Sequence, residues 1–149
     1  MNVTNKYDLI VIGSGPGGRR AAIQAAKFSK RVLVVEKSER VGGVSVHTGT
    51  IPSKTLRETA LNLSGWHERE FYGQSYRVKQ NITAADLKNR LHMTLDHEVE
   101  VLKHQFARNG VETLNGKARF VSPTTIEVEF DDGEVQQFSA EKFIIAVGT

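Results

Sequence analysis

The sequence predicts an α/β fold in which a mainly parallel sheet carries helices and runs on into a small β-meander. Three observations carry that prediction. Short, β-branched apolar runs, YDLIVI at 7–12 and RVLVV at 31–35, flank a segment of helix formers. A glycine-rich turn separates the first run from that segment. The last third of the chain changes to the alternating period of strands and ends on a buried apolar run, FIIAV.

Taken in order, Tyr7–Ile12 reads as a strand buried on both faces and stopped by Gly13. From Pro16 to Phe28, Ala21, Ala22, Ala25 and Ala26 let a helix lie close against it. A second strand follows at Arg31–Val35. Strand, turn, helix and strand make a βαβ unit, whose right-handed crossover sets the two strands parallel. After a glycine-bearing loop, Pro52 suits the first turn of a helix running to about Leu63. Ser64 to Asn81 is polar and irregular. Thr83 and Asp86 then form a capping-box-like start, with Asp in place of Glu. Leu87, Leu91, Leu95, Val99, Leu102 and Phe106 give the next helix one apolar face, which Asn109-Gly110 ends. Strands are expected at Val111–Leu114, Ala118–Val121 and Ile126–Phe130, then at Val135–Phe138 after an Asp132-Gly133 hairpin turn, all four making the meander. A separate buried strand is expected at Lys142–Val147.

With 149 residues the chain can bury one sizeable core, so one domain is expected. Because it stops directly after a buried strand, it reads as the front part of a longer protein. The net charge of +3 is small and the basic residues are interspersed with acidic ones, so neither a nucleic-acid nor a membrane partner is expected. No segment approaches the ~20 apolar residues that span a bilayer, and a cytoplasmic location is expected. Cysteine is absent, which excludes disulfides, thiolate metal sites and thiol nucleophiles from these residues. No metal site is expected: on the long helix His92 and His97 are five residues apart and face apart, and they and His104 read as solvent-facing.

Gly13-Ser-Gly15-Pro16-Gly17-Gly18 fits G-x-G-x-x-G directly after a strand and directly before a helix. Gly13 permits the tight turn, Gly15 admits a pyrophosphate to the backbone, and Gly18 lets helix and strand pack closely. The helix N-terminus adds free N–H groups for the anion. Glu36, followed by Lys37, ends the second strand about 20 residues further on, where a carboxylate accepts from an adenosine ribose and repels a 2′-phosphate. This is a Rossmann-like FAD/NAD(P)-binding pattern, and by itself it leaves FAD and NAD open. Arg19 and Arg20, opening the helix, read as surface residues.

The following segment, Gly42-Gly43-Val-Ser45-Val-His47-Thr48-Gly49-Thr50-Ile-Pro52-Ser53-Lys54, resembles the G-G-x-C-x4-C-x-P-S-K segment of the flavoprotein disulfide reductases. Gly116-Lys117-Ala118 resembles that family's strand beside the adenine, and Ala146-Val-Gly148-Thr149 its A-x-G-[ST] segment near the cofactor. The resemblance implies FAD as a tightly held cofactor. It places Gly42, Gly43, Ser45, Thr48 and Gly49 along the pyrophosphate and ribityl chain, and Lys54 beside the flavin N5 edge, where its charge stabilises the reduced ring. His47 would be a neighbour of the ring or a plain loop histidine. The resemblance also makes residues 1–149 the N-terminal part of an FAD-binding domain, with nicotinamide-binding and dimerisation domains elsewhere in a homodimer.

The departure is that Ser45 and Thr50 stand where the family's two cysteines would be, so no dithiol can relay electrons on this segment. In that respect, and in G-T-I-P-S-K, the chain is similar to the soluble pyridine nucleotide transhydrogenases of the same family. The similarity implies an NAD(P) transhydrogenase that moves hydride from NADPH to NAD through FAD, with NAD and NADP as substrates, and this chain alone would be inactive. Two alternatives remain open: a flavin-dependent NAD(P)H dehydrogenase with a quinone-like acceptor, and a non-redox dinucleotide-binding module.

Overall fold

The computed structural model describes residues 6–65 and 83–148. It divides into two compact units, Met1–Val44 with Val99–Thr149, and Ser45–Glu98.

In the first unit, β1 (Lys6–Ile12), α1 (Pro16–Lys27) and β2 (Val32–Glu36) form the βαβ unit read from the sequence. Beyond the second unit come β3 (Glu112–Asn115), β4 (Lys117–Ser122), β5 (Thr125–Glu129) and β6 (Val135–Ile145). All six strands join one sheet in the order β3-β2-β1-β6-β5-β4. The first four neighbours are parallel, with Val11 opposite Val34 on one side and Ile144 on the other. The β6-β5-β4 end is antiparallel. The architecture is thus α/β, as expected, with a mixed sheet. All of β2 is buried, as are Ile10 and Val11 at the centre of β1, and α1 lies against β1, β2 and β6 with Gly18 and Ala22 inward. Each such aliphatic side chain contributes about 1.5–3 kcal/mol on burial.

Two expectations about the tail are corrected. The 111–114 segment is not part of the meander: β3 pairs parallel with β2 at the far edge of the sheet, Leu33 opposite Glu112. Val135–Phe138 and Lys142–Val147 are not separate strands either, for β6 runs unbroken over 11 residues. Its polar middle suggested a break, but that is where the strand changes partner. Ser139 pairs with Thr125 of β5 and with Lys6 of β1.

The connection between β3 and β4 explains the shape of this unit. These strands lie at opposite edges of the sheet, yet only Gly116 separates them. The β4–β5 hairpin therefore has to curl back over the face of β1 and β2. Ile126, Val128 and Phe138 accordingly share one core with Ile10, Leu33 and Val35. Gly116 is the seam: its N–H donates to the Glu36 carbonyl at 2.9 Å, and a Cβ there would lie 2.6 Å from Val128 Cγ1.

The next element after β2 is α2 (Gly43–His47), one turn of helix where a loop was expected. In the second unit, α3 (Thr50–Ser64) begins two residues before Pro52, which lies in its first turn as expected. The early start is tolerated because the first four N–H groups of a helix have no partner inside it, so Pro52 removes no helical bond. Gly65, left-handed at φ 65°, caps the far end. The reading of Ser64–Asn81 as irregular gives way to helix at Ser64, and residues 66–81 lie outside the described residues.

The long helix α4 (Ala84–Arg108) opens on the capping box read from the sequence. The Thr83 N–H donates to Asp86 Oδ2 at 2.9 Å, and the Asp86 N–H donates to Thr83 Oγ1 at 3.3 Å. Leu95, Val99, Leu102 and Phe106 are buried, and His92, His97 and His104 are exposed. Gly110, at φ 70°, ends the helix, and the Val111 N–H returns to the Phe106 carbonyl. Among the described residues no helix is long and apolar enough to cross a membrane.

Candidate dinucleotide site

The strand order fixes where a ligand site can form. The chain leaves β1 for β2 and then β3 on one side, and returns to β6 on the other. The crevice outside the carboxyl ends of β1 and β6 is therefore the switch point at which open α/β sheets bind their ligands. Gly13 to Gly18 occupy it. Hydrogen bonds continue past the strand ends there, the Gly13 N–H donating to the Val35 carbonyl and the Ala146 N–H to the Ile12 carbonyl, both at 2.8 Å.

The glycines divide by what surrounds them. Gly13 is left-handed, at φ 104°, and a Cβ on it would lie 2.3 Å from the Ala146 carbonyl oxygen. A Cβ on Gly18 would lie 2.0 Å from the Gly13 carbonyl oxygen and 3.2 Å from Val11 Cγ1. These two are required by packing. Gly15 and Gly17 face nothing within 4 Å, so the backbone at the start of α1 is open to a ligand. Gly15 is the N-cap and supplies no side chain to the first N–H groups, and Pro16 follows within the first turn. Those groups are left for an anion.

Glu36 ends β2 and is 7% exposed. Its Oε2 accepts from the Ser14 N–H at 2.9 Å and the Ser14 hydroxyl at 2.5 Å, and its Oε1 from the Ser38 N–H at 3.0 Å. Burial pushes the carboxyl up, but bonds from the Ser14 hydroxyl, the Ser38 and Ser14 N–H groups and the Ser38 side chain outweigh it, holding Glu36 below the ordinary glutamate value. It is a fixed negative charge at neutral pH.

Ser14 is also joined to the next glycine pair, since the Gly42 N–H donates to its hydroxyl at 2.9 Å. Gly43 sits so close to the first turn that a Cβ on it would come 3.0 Å from Gly15 Cα. Gly116, bonded to Glu36, brings Lys117 and Ala118 beside the end of β2, Lys117 exposed and Ala118 half-buried. The structure thus gathers Gly13, Gly15, Pro16, Gly17, Gly18, Glu36, Lys37, Gly42, Gly43, Lys117, Ala118, Ala146 and Gly148 into one unit at the carboxyl end of the sheet. Thr149 lies outside the described residues.

The remaining candidates belong to the second unit. Ser45 is half-buried in α2, and His47 is its last residue, so it is helical and not a loop histidine. Thr48 is exposed, Gly49 caps α3, and Lys54 is exposed in that helix's first turns. Of the two positions where the sequence resemblance expects cysteine, Ser45 lies in α2 and Thr50 begins α3. Among the described residues no group of three His, Asp or Glu could hold a metal ion.

Sequence reasoning passed over Ser14, which fills a variable place in the fingerprint and is 1% exposed. The signal was available: a polar residue between two buried elements needs partners, and an acidic strand end is one of them.

Fold and site together define a dinucleotide-binding α/β domain of the oxidoreductase type. The chain belongs to the pyridine nucleotide-disulphide oxidoreductase family, whose profile matches residues 7–149. It is 50% identical over 145 residues to the soluble pyridine nucleotide transhydrogenase of Mycobacterium bovis, a match covering 97% of this chain and 31% of that protein. Proteins of the same name from Escherichia coli and Colwellia psychrerythraea are 39% and 37% identical over 143 residues, covering 96% of this chain and 30% of theirs. The chain therefore spans about a third of the length of the curated relatives it matches.

Proposed function

We propose that this chain is the FAD-binding portion of an NAD(P) transhydrogenase that moves hydride from NADPH to NAD without a redox disulfide. The observation that carries the reading is the coexistence of an intact dinucleotide cradle with Ser45 and Thr50 in place of the two cysteines, in a sequence with no cysteine at all. The names of the relatives it matches support it.

The residues fit FAD. Open backbone at Gly15 and Gly17 and the free N–H groups at the start of α1 suit the pyrophosphate. Glu36, ionised and held in place, suits the adenosine ribose. Gly42 and Gly43 close the other side of the turn, and the Gly116 bond to Glu36 sets Lys117 and Ala118 beside the end of β2, where the resemblance puts the adenine. When bound, the flavin supplies a two-electron carrier that either nicotinamide can address in turn. On the family resemblance, Lys54 would contribute positive charge at the ring edge, and Ser45, Thr48 and Gly49 would lie along the ribityl chain. Ser45 and Thr50 cannot form a disulfide, so this segment would offer electrons no thiol relay. The complete enzyme on this reading is a cytoplasmic homodimer whose nicotinamide site lies in the portion beyond this chain.

The test is acceptor kinetics on the full-length protein. Hydride should pass from NADPH to a thionicotinamide analogue of NAD, with no reduction of lipoamide or glutathione disulfide. Rapid disulfide reduction, or turnover with quinones alone, would overturn the reading.

A further inference from the structure

Ser14 occupies the variable position inside the first G-x-G, and its side chain is enclosed by protein. Three chain segments meet at it. Its own turn joins β1 to α1, its hydroxyl donates to Glu36 at the end of β2, and it accepts from Gly42, which precedes α2. The direction of each bond is set by chemistry. An ionised carboxylate only accepts and a backbone N–H only donates, so the serine proton must point at Glu36 and an oxygen lone pair at Gly42. Bonds chained in this way polarise one another and strengthen. Alanine would cut both at once.

We propose that Ser14 is a positioning residue of the dinucleotide site. It acts through Glu36, orienting the carboxylate toward a ribose hydroxyl, and through Gly42, setting the Gly42–Gly43 turn against Gly15. The proposal rests on the reading of the cradle as an FAD site. It assigns selectivity for the ribose hydroxyls to the Ser14–Glu36 pair and not to Glu36 alone. With the hydroxyl gone, Glu36 keeps the Ser14 and Ser38 N–H bonds, but the side-chain bond that holds Oε2 from the turn is lost.

The experiment uses the full-length flavoprotein, stripped of FAD and titrated with FAD or with an FAD whose adenosine lacks the 2′-hydroxyl, following quenching of flavin fluorescence. The wild type should prefer FAD by about tenfold or more, as one hydrogen bond to a charged group allows. Ser14→Ala should weaken FAD binding by about tenfold and leave the deoxy analogue much less affected, compressing the preference to about two- to threefold. Glu36→Gln should compress it similarly, and the double variant no further, since both changes remove one coupled interaction. Ser14→Thr, which keeps the hydroxyl, should retain the wild-type preference. Ser14→Cys, a weaker donor of similar size, should fall between and carries the test if the alanine variant does not fold. Equal weakening of both ligands by Ser14→Ala or Ser14→Cys, or full additivity with Glu36→Gln, would reduce Ser14 to a structural residue and overturn the proposal. A wild type that binds both ligands equally would instead remove Glu36 from the ribose, and the failure would belong to the site reading.

Discussion

Two glycines three residues apart should respond oppositely to the same added methyl group. At Gly18 the new Cβ would sit 2.0 Å from the Gly13 carbonyl oxygen and 3.2 Å from Val11 Cγ1. Ordinary contacts lie near ~3.5 Å, so α1 would have to retreat from β1 by about 1 Å or more, against a backbone atom that cannot rotate away. Overpacking of this kind costs about 1–3 kcal/mol, and a rigid obstacle puts it at the upper end. Helix propensity returns up to ~1 kcal/mol, leaving a net loss of about 2 kcal/mol, which in a protein about three times the length of this chain lowers Tm by about 2 °C. At Gly15 the backbone, φ −61° and ψ −179°, is open to any residue and nothing lies within 4 Å. Only a weak capping preference is lost, below about 1 kcal/mol. The methyl would instead occupy the space a pyrophosphate needs, and FAD affinity should fall by about tenfold or more. Thermal unfolding of the flavin-stripped full-length protein measures the first effect, and flavin fluorescence quenching the second. A Gly18→Ala variant melting at or above the wild-type temperature would refute the packing argument. Wild-type FAD affinity in Gly15→Ala would refute the close approach.

Glu36→Gln should lower stability at neutral pH. Since the folded carboxyl titrates below its unfolded value of about 4.3, its contribution is full above that value and fades as pH falls through the lower folded one. Urea midpoints of the two proteins should therefore converge in acid. The Tyr7 hydroxyl donates to Glu112 Oε2 at 2.7 Å, and burial, then that bond and the glutamate charge, push its pKa up to about 12. Here the raised value makes the stabilising contribution complete below pH ~10 and lost as pH rises toward 12. Ultraviolet absorbance should show one tyrosine ionising late, and Tyr7→Phe should abolish that step. Thr83→Ala should cost about 1 kcal/mol through the capping box of α4, read by denaturant unfolding, with the fold unchanged. Lys54→Met should slow reduction of the flavin by NADPH by about tenfold or more while changing nicotinamide binding little, as anaerobic stopped-flow absorbance would show.

The parts of this molecule that were legible in the sequence are those whose cause is local. The βαβ unit follows from two β-branched runs and an alanine-rich helix between them, and the turn glycines from the steric demands of the first crossover. The capping box of α4 was legible because Thr83 and Asp86 satisfy each other's neighbourhood without outside help. The misread parts depend on partners distant in sequence. Nothing within Glu112–Asn115 says that its neighbour is β2, some 80 residues back, for its polar pattern suits any edge strand. The middle of β6 looked like a break because polar residues stand where the strand exchanges β5 for β1, and that exchange exists only in the assembled sheet. Ser14 belongs to the same class. Its position in the fingerprint is local, but its bonds reach residues 22 and 28 places away. The fingerprint therefore identifies what kind of ligand the turn can approach, while the residues that fix the carboxylate and the second turn emerge only when the three segments meet. A site of this type is specified at two levels, and substitutions at the second level should alter selectivity before they alter the fold.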